Sequence, residues 1–253
     1  MWYRKQEIVK MDKQMERAGD DNKNNIGVLY GIGVGPGDPE LMTLKAINTI
    51  KACDIIAIPA VSKEECYAYS IVQAVLPEIE KKHIMCTPFP MIKLTISHNK
   101  IYSDIVCELE DGKNVAMLTI GDPSVYSTYM YIHKRVMQVG FTAVMISGVP
   151  SFCAAAARLG ISLGEMMDEI HIIPASYDVG DTVGYGGTCV YMKSGKKLAE
   201  LIEVLRTGDA IRKKKMTVYG VTNCGMESER VYRGLDELTE AKGYLTIVIV
   251  KYS

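Results

Sequence analysis

The sequence has no excess of charge of either sign: its 253 residues include 29 Lys plus Arg and 30 Asp plus Glu. Such a balance creates no protein-wide field that would hold a polyanion or a polycation. We therefore expect no nucleic-acid partner, and we expect any charged ligand to be bound by a few local side chains.

Patterns typical of disulfides and of metal sites are also missing. The cysteines number seven, an odd count, and include no Cys-x-x-Cys pair, which argues against a disulfide framework and favours a reducing compartment. The histidines at positions 83, 98, 133 and 171 do not have the spacing of metal ligands. We therefore expect no metal site in the protein itself.

Long apolar runs are absent as well, since no segment reaches the ~20 apolar residues that a membrane-spanning helix needs. Residues 1–25 alternate charges and amides and lack the apolar core of a signal peptide. We interpret this segment as a polar N-terminal extension of a cytoplasmic protein that has no membrane partner.

Apolar residues nevertheless make up 48% of the chain, enough to fill the core of one large domain or of two smaller ones. From residue 26 the pattern predicts a strand over 26–31, a helix over 39–51 and a strand over 54–58, which is the rhythm of a parallel sheet. Asp38 is suited to cap that helix and Pro39 to occupy its first position.

The remaining pattern predicts an α/β fold with a more strand-rich second half. We divide the chain into an extension over 1–25, an N-terminal α/β domain over 26–147 and a C-terminal α/β domain over 148–253, with the boundary placed at turn residues. Helices are predicted over 64–76, 94–110, 126–139, 151–159 and 196–205, and strands over 115–120, 142–146, 171–174, 188–192, 216–221 and 244–251.

The loop at residues 31–39, Gly-Ile-Gly-Val-Gly-Pro-Gly-Asp-Pro, lies between the first predicted strand and helix. It fails the dinucleotide fingerprint, because the third required glycine is Pro36 in one register and Asp38 in the other. An acid at the helix start also disfavours a phosphate. The glycines still allow backbone groups to approach a ligand closely; a tight turn without a ligand is the alternative.

A second loop, Gly-Asp-Pro-Ser-Val-Tyr at residues 121–126, follows a predicted buried strand. Alone it is only a turn motif. In open parallel sheets, however, ligands bind at the carboxyl ends of the strands, so two such loops would form a cleft walled by backbone. That cleft suits a sulfonium cofactor with a neutral adenosine and a zwitterionic tail.

Five segments together resemble the tetrapyrrole methylase family over roughly residues 26–250. The run at 119–131 resembles the family's precorrin-2 or cobalt-factor-II C20-methyltransferase branch, and the turn at 223–230 is similar to that of corrin-pathway members. The other matching segments are the loop at 31–39, the stretch at 147–159 and residues 190–193.

The resemblance implies two α/β domains with S-adenosylmethionine in the cleft between them, and a homodimer. Position 150 departs from the commoner family form, because Pro150, Ser151 and Phe152 stand where that form has Thr-Ser-Ala. The cofactor contacts carried over from the family are Pro36, Gly121, Asp122, Pro123, Val125, Tyr126, Ser151, Phe152, Met192, Tyr219 and Leu245.

The implied reaction is methylation of C20 of cobalt-factor II or precorrin-2, so any cobalt would arrive within the substrate. For the macrocycle we predict contacts from Tyr126 and Tyr129, which a helix over 126–139 would place on one face. Arg158 and Lys193, with Lys196 and Lys197, are candidates for its carboxylates; solvated surface charge is the alternative for each.

Asp38 is a weak candidate for a catalytic base and substrate contact, and its role as a helix cap is favoured. Three rival functions stay open: a methylase of the same fold acting on another ring position or on a protein or RNA target, a nucleotide-binding oxidoreductase and a ligand-binding module without catalysis. Binding of S-adenosylhomocysteine without binding of NAD would exclude the oxidoreductase, and methyl turnover would exclude the binding module.

Overall fold

A computed structural model describes residues 26–88, 96–211, 216–241, 243 and 245–252. The described chain contains two five-stranded sheets, with strand orders β3-β2-β4-β1-β5 and β6-β7-β10-β8-β9. Their strands are β1 (Val28–Gly33), β2 (Ile55–Ile58), β3 (His83–Cys86), β4 (Val115–Thr119), β5 (Thr142–Ile146), β6 (Ile170–Pro174), β7 (Thr188–Met192), β8 (Met216–Thr222), β9 (Arg230–Arg233) and β10 (Thr246–Tyr252).

Helices cover both sheets. The α-helices are α1 (Leu44–Ala52), α2 (Tyr67–Val75), α3 (Ile96–Glu110), α4 (Tyr129–Gln138), α5 (Ser151–Leu159), α6 (Leu198–Ile211) and α7 (Leu235–Leu238). Short 3-10 turns lie at Pro39–Leu41, Pro77–Lys81, Gly180–Gly184 and Gly195–Lys197. Within the described residues, no helix combines the length and the apolar character needed to cross a bilayer.

All strand pairs of the first sheet are parallel. Its central strands are apolar and buried, as expected for a sheet covered on both faces: α1 and α2 pack on one face and α3 and α4 on the other. Because the strands are parallel, all five carboxyl ends meet at one edge, which places the two loops identified in the sequence side by side.

In the second sheet only the β6–β7 pair is parallel, and the other pairs are antiparallel. Helices α6 and α7 cover one face. On the other face α5 packs against β7, β8 and β10 in an apolar cluster that also includes Leu41, Val125 and Val149 from the loops at the carboxyl edge of the first sheet. This inter-sheet cluster joins the two layers.

The α/β architecture with two sheets confirms the predicted fold class, and α5 and β5 have the predicted bounds. The predicted helix over 39–51 is wrong at its start. Asp38 caps the short 3-10 turn, the chain at Met42 is extended, and α1 begins after Thr43, whose hydroxyl accepts from the Ala46 amide at 3.1 Å.

The helix predicted over 126–139 is also wrong at its start. It begins at Tyr129, and Tyr126 has a positive φ of 48° that no helix tolerates. The pattern missed β3 and β9, which are short edge strands; an edge strand has no need of the continuous apolar run by which buried strands are recognised. The division at residue 147 stays a prediction, and the extension over 1–25 lies outside the described residues.

Candidate functional site

The two glycine-containing loops are hydrogen-bonded to each other. The Gly121 amide donates to the Gly35 carbonyl at 2.7 Å, and the Gly35 amide donates to the Gly121 carbonyl at 3.3 Å. A third loop joins them, because a Cβ atom added to Gly148 would lie 2.2 Å from the Gly121 carbonyl oxygen. Three loops at the carboxyl edge therefore contact through backbone atoms, and the contacts leave no room for a side chain at Gly33 or Gly148.

Asp122 ties the second loop to the third. One carboxylate oxygen accepts from the Ser124 amide at 2.8 Å and the Ser124 hydroxyl at 2.5 Å. The other accepts from the Ser147 hydroxyl at 2.7 Å and the Gly148 amide at 3.1 Å. Burial alone would raise the pKa of Asp122, but these hydrogen bonds outweigh it and hold the pKa below its ordinary value.

Because its side chain is engaged within the protein, Asp122 fixes the loops in place, and a ligand contact at this position would come from its backbone. The neighbouring Pro123 is buried, as is Pro36 in the first loop. Both prolines are rigid, so they hold the loop backbone in one conformation.

A space lies beside Gly121, which has a φ of +72°. The atoms nearest to a Cβ added there are the Ser151 amide nitrogen at 3.8 Å and the Val149 carbonyl oxygen at 3.9 Å. Helix α5 begins at this point, with Pro150 as a cap that provides no side-chain hydrogen bond. The amino end of α5, a donor of N–H groups, therefore faces the second loop.

The second sheet and helix α5 contribute apolar residues that pack against the loops of the first layer. Phe152 and Met192 are each 8% exposed and lie in the inter-sheet cluster, against which Val125 and Tyr219 also pack. Leu245 lies just before β10. The structure thus brings together most of the predicted cofactor positions, on two layers that face each other; their role as cofactor contacts stays a prediction.

Tyr126 and Lys193 connect the two layers directly. The Lys193 ammonium donates to the Tyr126 carbonyl at 2.5 Å, and the Tyr126 hydroxyl donates to the Ile172 carbonyl on β6 at 2.9 Å. Tyr126 and Lys193 both have positive φ values, 48° and 57°, a strained conformation that persists where the surroundings impose it. Burial lowers the pKa of Lys193.

Asp38 acts as a cap, as favoured from the sequence: its carboxylate accepts from the Glu40 amide at 2.9 Å. It also lies beside the turn at 223–226. A Cβ on Gly37 would lie 2.2 Å from the Cys224 carbonyl oxygen, and one on Gly225 would lie 2.4 Å from the Asp38 amide nitrogen. The first loop therefore contacts the second layer backbone to backbone.

The prediction that Tyr129 contacts substrate is wrong. Its side chain is fully buried under the first sheet, where the ring fills the space below Gly31 and the hydroxyl contacts His133 Nδ1 at 3.0 Å and donates to the Val144 carbonyl at 3.1 Å. The predicted pairing with Tyr126 failed because Tyr126 precedes the helix instead of lying on it.

The predicted cationic residues differ in their surroundings. Arg158 is paired with Glu229, and its side chain is 59% exposed. Lys197 pairs with Glu200 at 3.4 Å on the surface, consistent with solvated charge. The side chain of Lys196 lies outside the described residues, and Lys193 points towards the second loop.

Sequence reasoning missed the contacts made by Ser124, Ser147 and Glu229. Each of these residues contacts a partner through its side chain, and the Glu229 partner Arg158 is 71 positions away in sequence. For Ser147 a signal existed, since it follows the carboxyl end of β5 directly, as the other loop residues follow β1 and β4. For Glu229 no local pattern existed.

Comparison with known proteins identifies the family of this chain. The sequence profile of the tetrapyrrole (corrin/porphyrin) methylases matches residues 28–239. The chain is 34% identical to the probable cobalt-precorrin-2 C(20)-methyltransferase of Methanocaldococcus jannaschii, over 88% of this chain and 95% of that protein. It is 25% identical to the cobalt-precorrin-2 C(20)-methyltransferase of Salmonella typhimurium, over 88% and 96%.

The fold matches that of the Thermus thermophilus uroporphyrin-III C-methyltransferase complexed with S-adenosylhomocysteine. The TM-score is 0.67 at 19% identity, and the match covers 89% of this chain and 97% of that chain. Since the family profile spans both layers and all three backbone loops between them, the chain belongs to the tetrapyrrole (corrin/porphyrin) methylases.

Proposed function

We propose that the protein is a methyltransferase that transfers a methyl group from S-adenosylmethionine to C20 of a precorrin-2-type tetrapyrrole, with the cobalt-containing macrocycle as the favoured substrate. The observation that carries the proposal is the end-to-end match, over 88% of this chain, to two relatives that are both named cobalt-precorrin-2 C(20)-methyltransferases. A methylase acting on another ring position is the alternative.

The residues present fit the cofactor. Backbone groups of Gly121, Asp122 and Pro123 and the amino end of α5 at Ser151 offer polar contacts around the space beside Gly121. Phe152 and Met192 offer apolar surface on the facing layer. The full set proposed to hold the cofactor is Pro36, Gly121, Asp122, Pro123, Val125, Tyr126, Ser151, Phe152, Met192, Tyr219 and Leu245.

When bound, S-adenosylmethionine supplies an electrophilic methyl group on a sulfonium. The contribution of the chain is then mainly positioning, because holding reacting groups in line is worth about 7–11 kcal/mol. The three backbone loops are rigid enough for this task, since Asp122 and the contacts between Gly35 and Gly121 fix them mutually. The apolar cluster at Phe152 excludes water from one side of the cleft.

For the macrocycle we propose contacts from Tyr126 and Lys193 and, at the edge, Arg158. Lys193 is the strongest of these, because the residue is partly buried and its ammonium donates to a neutral carbonyl; a substrate carboxylate there would gain a charge-assisted hydrogen bond. We assign no catalytic base. Asp38 belongs to the first loop, but its carboxylate already caps the Pro39–Leu41 turn.

We also propose the two-domain division at residue 147 and a homodimer. Helix α5, which follows the division, packs with the second sheet and not with the first. For the dimer, apolar side chains are exposed around the edge strand β6, including Met166, Met167 and Ile170, and exposed apolar groups of this kind are typical of association surfaces. Sedimentation equilibrium measures the assembly, and a single species of one-chain mass would exclude the dimer.

The test of function is mass spectrometry of the tetrapyrrole after incubation with S-adenosylmethionine and either cobalt-factor II or metal-free precorrin-2. One added methyl group on the cobalt form, located at C20 by NMR with a 13C-labelled methyl donor, is the expected result. A methyl group elsewhere on the ring favours the alternative, and methylation of precorrin-2 alone reverses the assignment of substrate. No methyl on either, despite binding of S-adenosylhomocysteine, contradicts the proposal.

A further inference from the structure

The turn between β8 and β9 is organised around one carboxylate. Glu229, whose side chain is 15% exposed, accepts from the Gly225 amide at 2.8 Å. The same carboxylate is hydrogen-bonded to the thiol of Cys224 and to the guanidinium of Arg158, which belongs to α5. Three donors from two different parts of the fold therefore converge on Glu229.

Backbone contacts fix the rest of this turn. The Asn223 amide donates to the Leu245 carbonyl at 2.9 Å, the Met226 amide to the Asn223 carbonyl at 3.0 Å, and the Glu229 amide to the Met226 carbonyl at 2.9 Å. Asn223 has a positive φ of 52°, which asparagine tolerates better than most residues. These backbone hydrogen bonds close the turn, and the Glu229 carboxylate accepts the hydrogen bonds of the Gly225 amide and the Cys224 thiol inside it.

The outer side of the turn lies directly against the first glycine loop. The closest points are backbone against backbone, with Gly37 against the Cys224 carbonyl and Gly225 against the Asp38 amide, and the Met226 and Asp38 side chains begin directly beside them. Flexible side chains normally absorb small displacements between packed elements, but backbone does not. A displacement of the turn is therefore transmitted to the first loop and, through the Gly35–Gly121 bridge, to the second.

We propose that Glu229 is a positioning residue for the cofactor cleft: it sets the place of the first loop by fixing the turn at 223–226, and thereby sets cofactor affinity. This inference rests on the proposed function for the identity of the cofactor. Glu229 acts without touching a ligand, unlike an exposed charge of the same segment such as Glu227, which fixes no neighbouring group among the residues that the structure describes.

The electrostatics of the turn support ionised Glu229 as the organising group. Burial alone would raise the pKa of Glu229, but the hydrogen bonds from Gly225, Arg158 and Cys224 and the charge of Arg158 hold the pKa below its ordinary value. Burial and, next, the Glu229 charge raise the pKa of Cys224 to about 11, so that the thiol stays protonated and remains a donor. Cys224 is thus a reporter of the Glu229 charge.

The decisive comparison is between Glu229→Gln and Glu227→Gln in the full chain. Glutamine keeps the volume and one acceptor oxygen but loses the charge; Glu227 is in the same turn and is exposed. With S-adenosylhomocysteine as the probe in calorimetry, we expect Glu229→Gln to weaken binding about 10-fold, the size of one lost charge-assisted hydrogen bond. KM for S-adenosylmethionine should rise with it, kcat at saturating cofactor should stay close to wild type, and Glu227→Gln should change neither.

Alkylation of Cys224, followed by peptide mass spectrometry across pH, is the second readout. In Glu229→Gln the midpoint should move to lower pH, because the carboxylate that raises the thiol pKa is gone. Should Glu229→Gln fail to fold, Arg158→Gln removes one of the three donors from the exposed side, and it should weaken cofactor binding in the same direction by less.

Cofactor affinity equal to wild type in folded Glu229→Gln, or in Arg158→Gln where only that variant folds, would overturn the inference. So would an equal loss in Glu227→Gln. A wild-type chain that binds no S-adenosylhomocysteine would contradict the proposed function instead, which keeps the two failures distinguishable.

Discussion

A buried carboxylate with every oxygen engaged is the clearest case in which one residue determines local geometry. Asp122 is 6% exposed and accepts four hydrogen bonds from groups in two loops. Its pKa lies below the ordinary value because those donors outweigh the effect of burial. Its side chain therefore holds the second and third loops together.

Asp122→Asn should lower the free energy of unfolding by about 2 kcal/mol, because an amide NH2 would replace one acceptor oxygen and face two donors. It should also weaken binding of S-adenosylhomocysteine. Urea unfolding and calorimetry measure the two effects. The matched control is Asp178→Asn, an exposed aspartate that accepts from the Gly180 amide at 2.9 Å, and a loss there as large as that of Asp122→Asn would contradict the prediction.

The same carboxylate predicts a pH dependence. The folded-state pKa of Asp122 is depressed, so its stabilising contribution is complete above the unfolded value of about 3.9 and is lost as pH falls through the folded pKa. The difference in unfolding free energy between wild type and Asp122→Asn should therefore stay constant from pH 7 to about pH 4 and shrink as the pH falls further. A difference in unfolding free energy that grows on acidification would contradict this prediction.

Close contact, and not a positive φ, requires a glycine at position 148. Gly148→Ala should cost about 1–3 kcal/mol, as expected for overpacking, because the new Cβ would lie 2.2 Å from the Gly121 carbonyl oxygen. Gly186→Ala is the control, since a Cβ there meets no atom within 4 Å. Thermal unfolding of the two variants makes the comparison, and equal transitions would refute the steric explanation.

At the scale of elements, the hydroxyl of Tyr126 joins the loop after β4 to strand β6. Tyr126→Phe removes the hydrogen bond to the Ile172 carbonyl, and we expect a loss of about 1 kcal/mol. Because the lost contact is at the sheet edge, amide hydrogen exchange should increase in β6 and β7 and change little in the first sheet. Tyr131→Phe, at a position 58% exposed on α4, is the control; the same exchange pattern in both variants would exclude a specific role for Tyr126.

For the whole molecule, the inter-sheet cluster predicts that the two layers unfold together. Phe152→Ala should lower the free energy of unfolding by about 3–5 kcal/mol and increase exchange in both sheets, because Phe152 lies in the cluster that joins the second sheet to the loops at the carboxyl edge of the first. Phe141→Ala is the comparison, since Phe141 is only partly buried and packs against the cluster of the first sheet. Two separate transitions in wild-type urea unfolding would show that the cluster does not couple the layers.

The elements were predictable where local chemistry decides them. Strands with continuous apolar residues, such as β2 and β4, and α5 with its small residues between a proline and a glycine were found with bounds correct to within one residue. The predicted start of α1 was wrong, because Asp38 is suited to cap either an α-helix or a short turn and the sequence does not distinguish the two. The strands β3 and β9 were missed, since short edge strands need little apolar character.

The sequence by itself determined the backbone character of the cleft and the order of the loops, because glycine, proline and apolar periodicity act locally, and its resemblance to known motifs indicated the family. Only the tertiary structure decided which side chains meet. Lys193 contacts Tyr126 across 67 positions, Arg158 contacts Glu229 across 71, and Tyr129 turns into the core instead of the cleft. Contacts of this kind depend on how two separately patterned sheets face each other, and no local pattern of residues records that orientation.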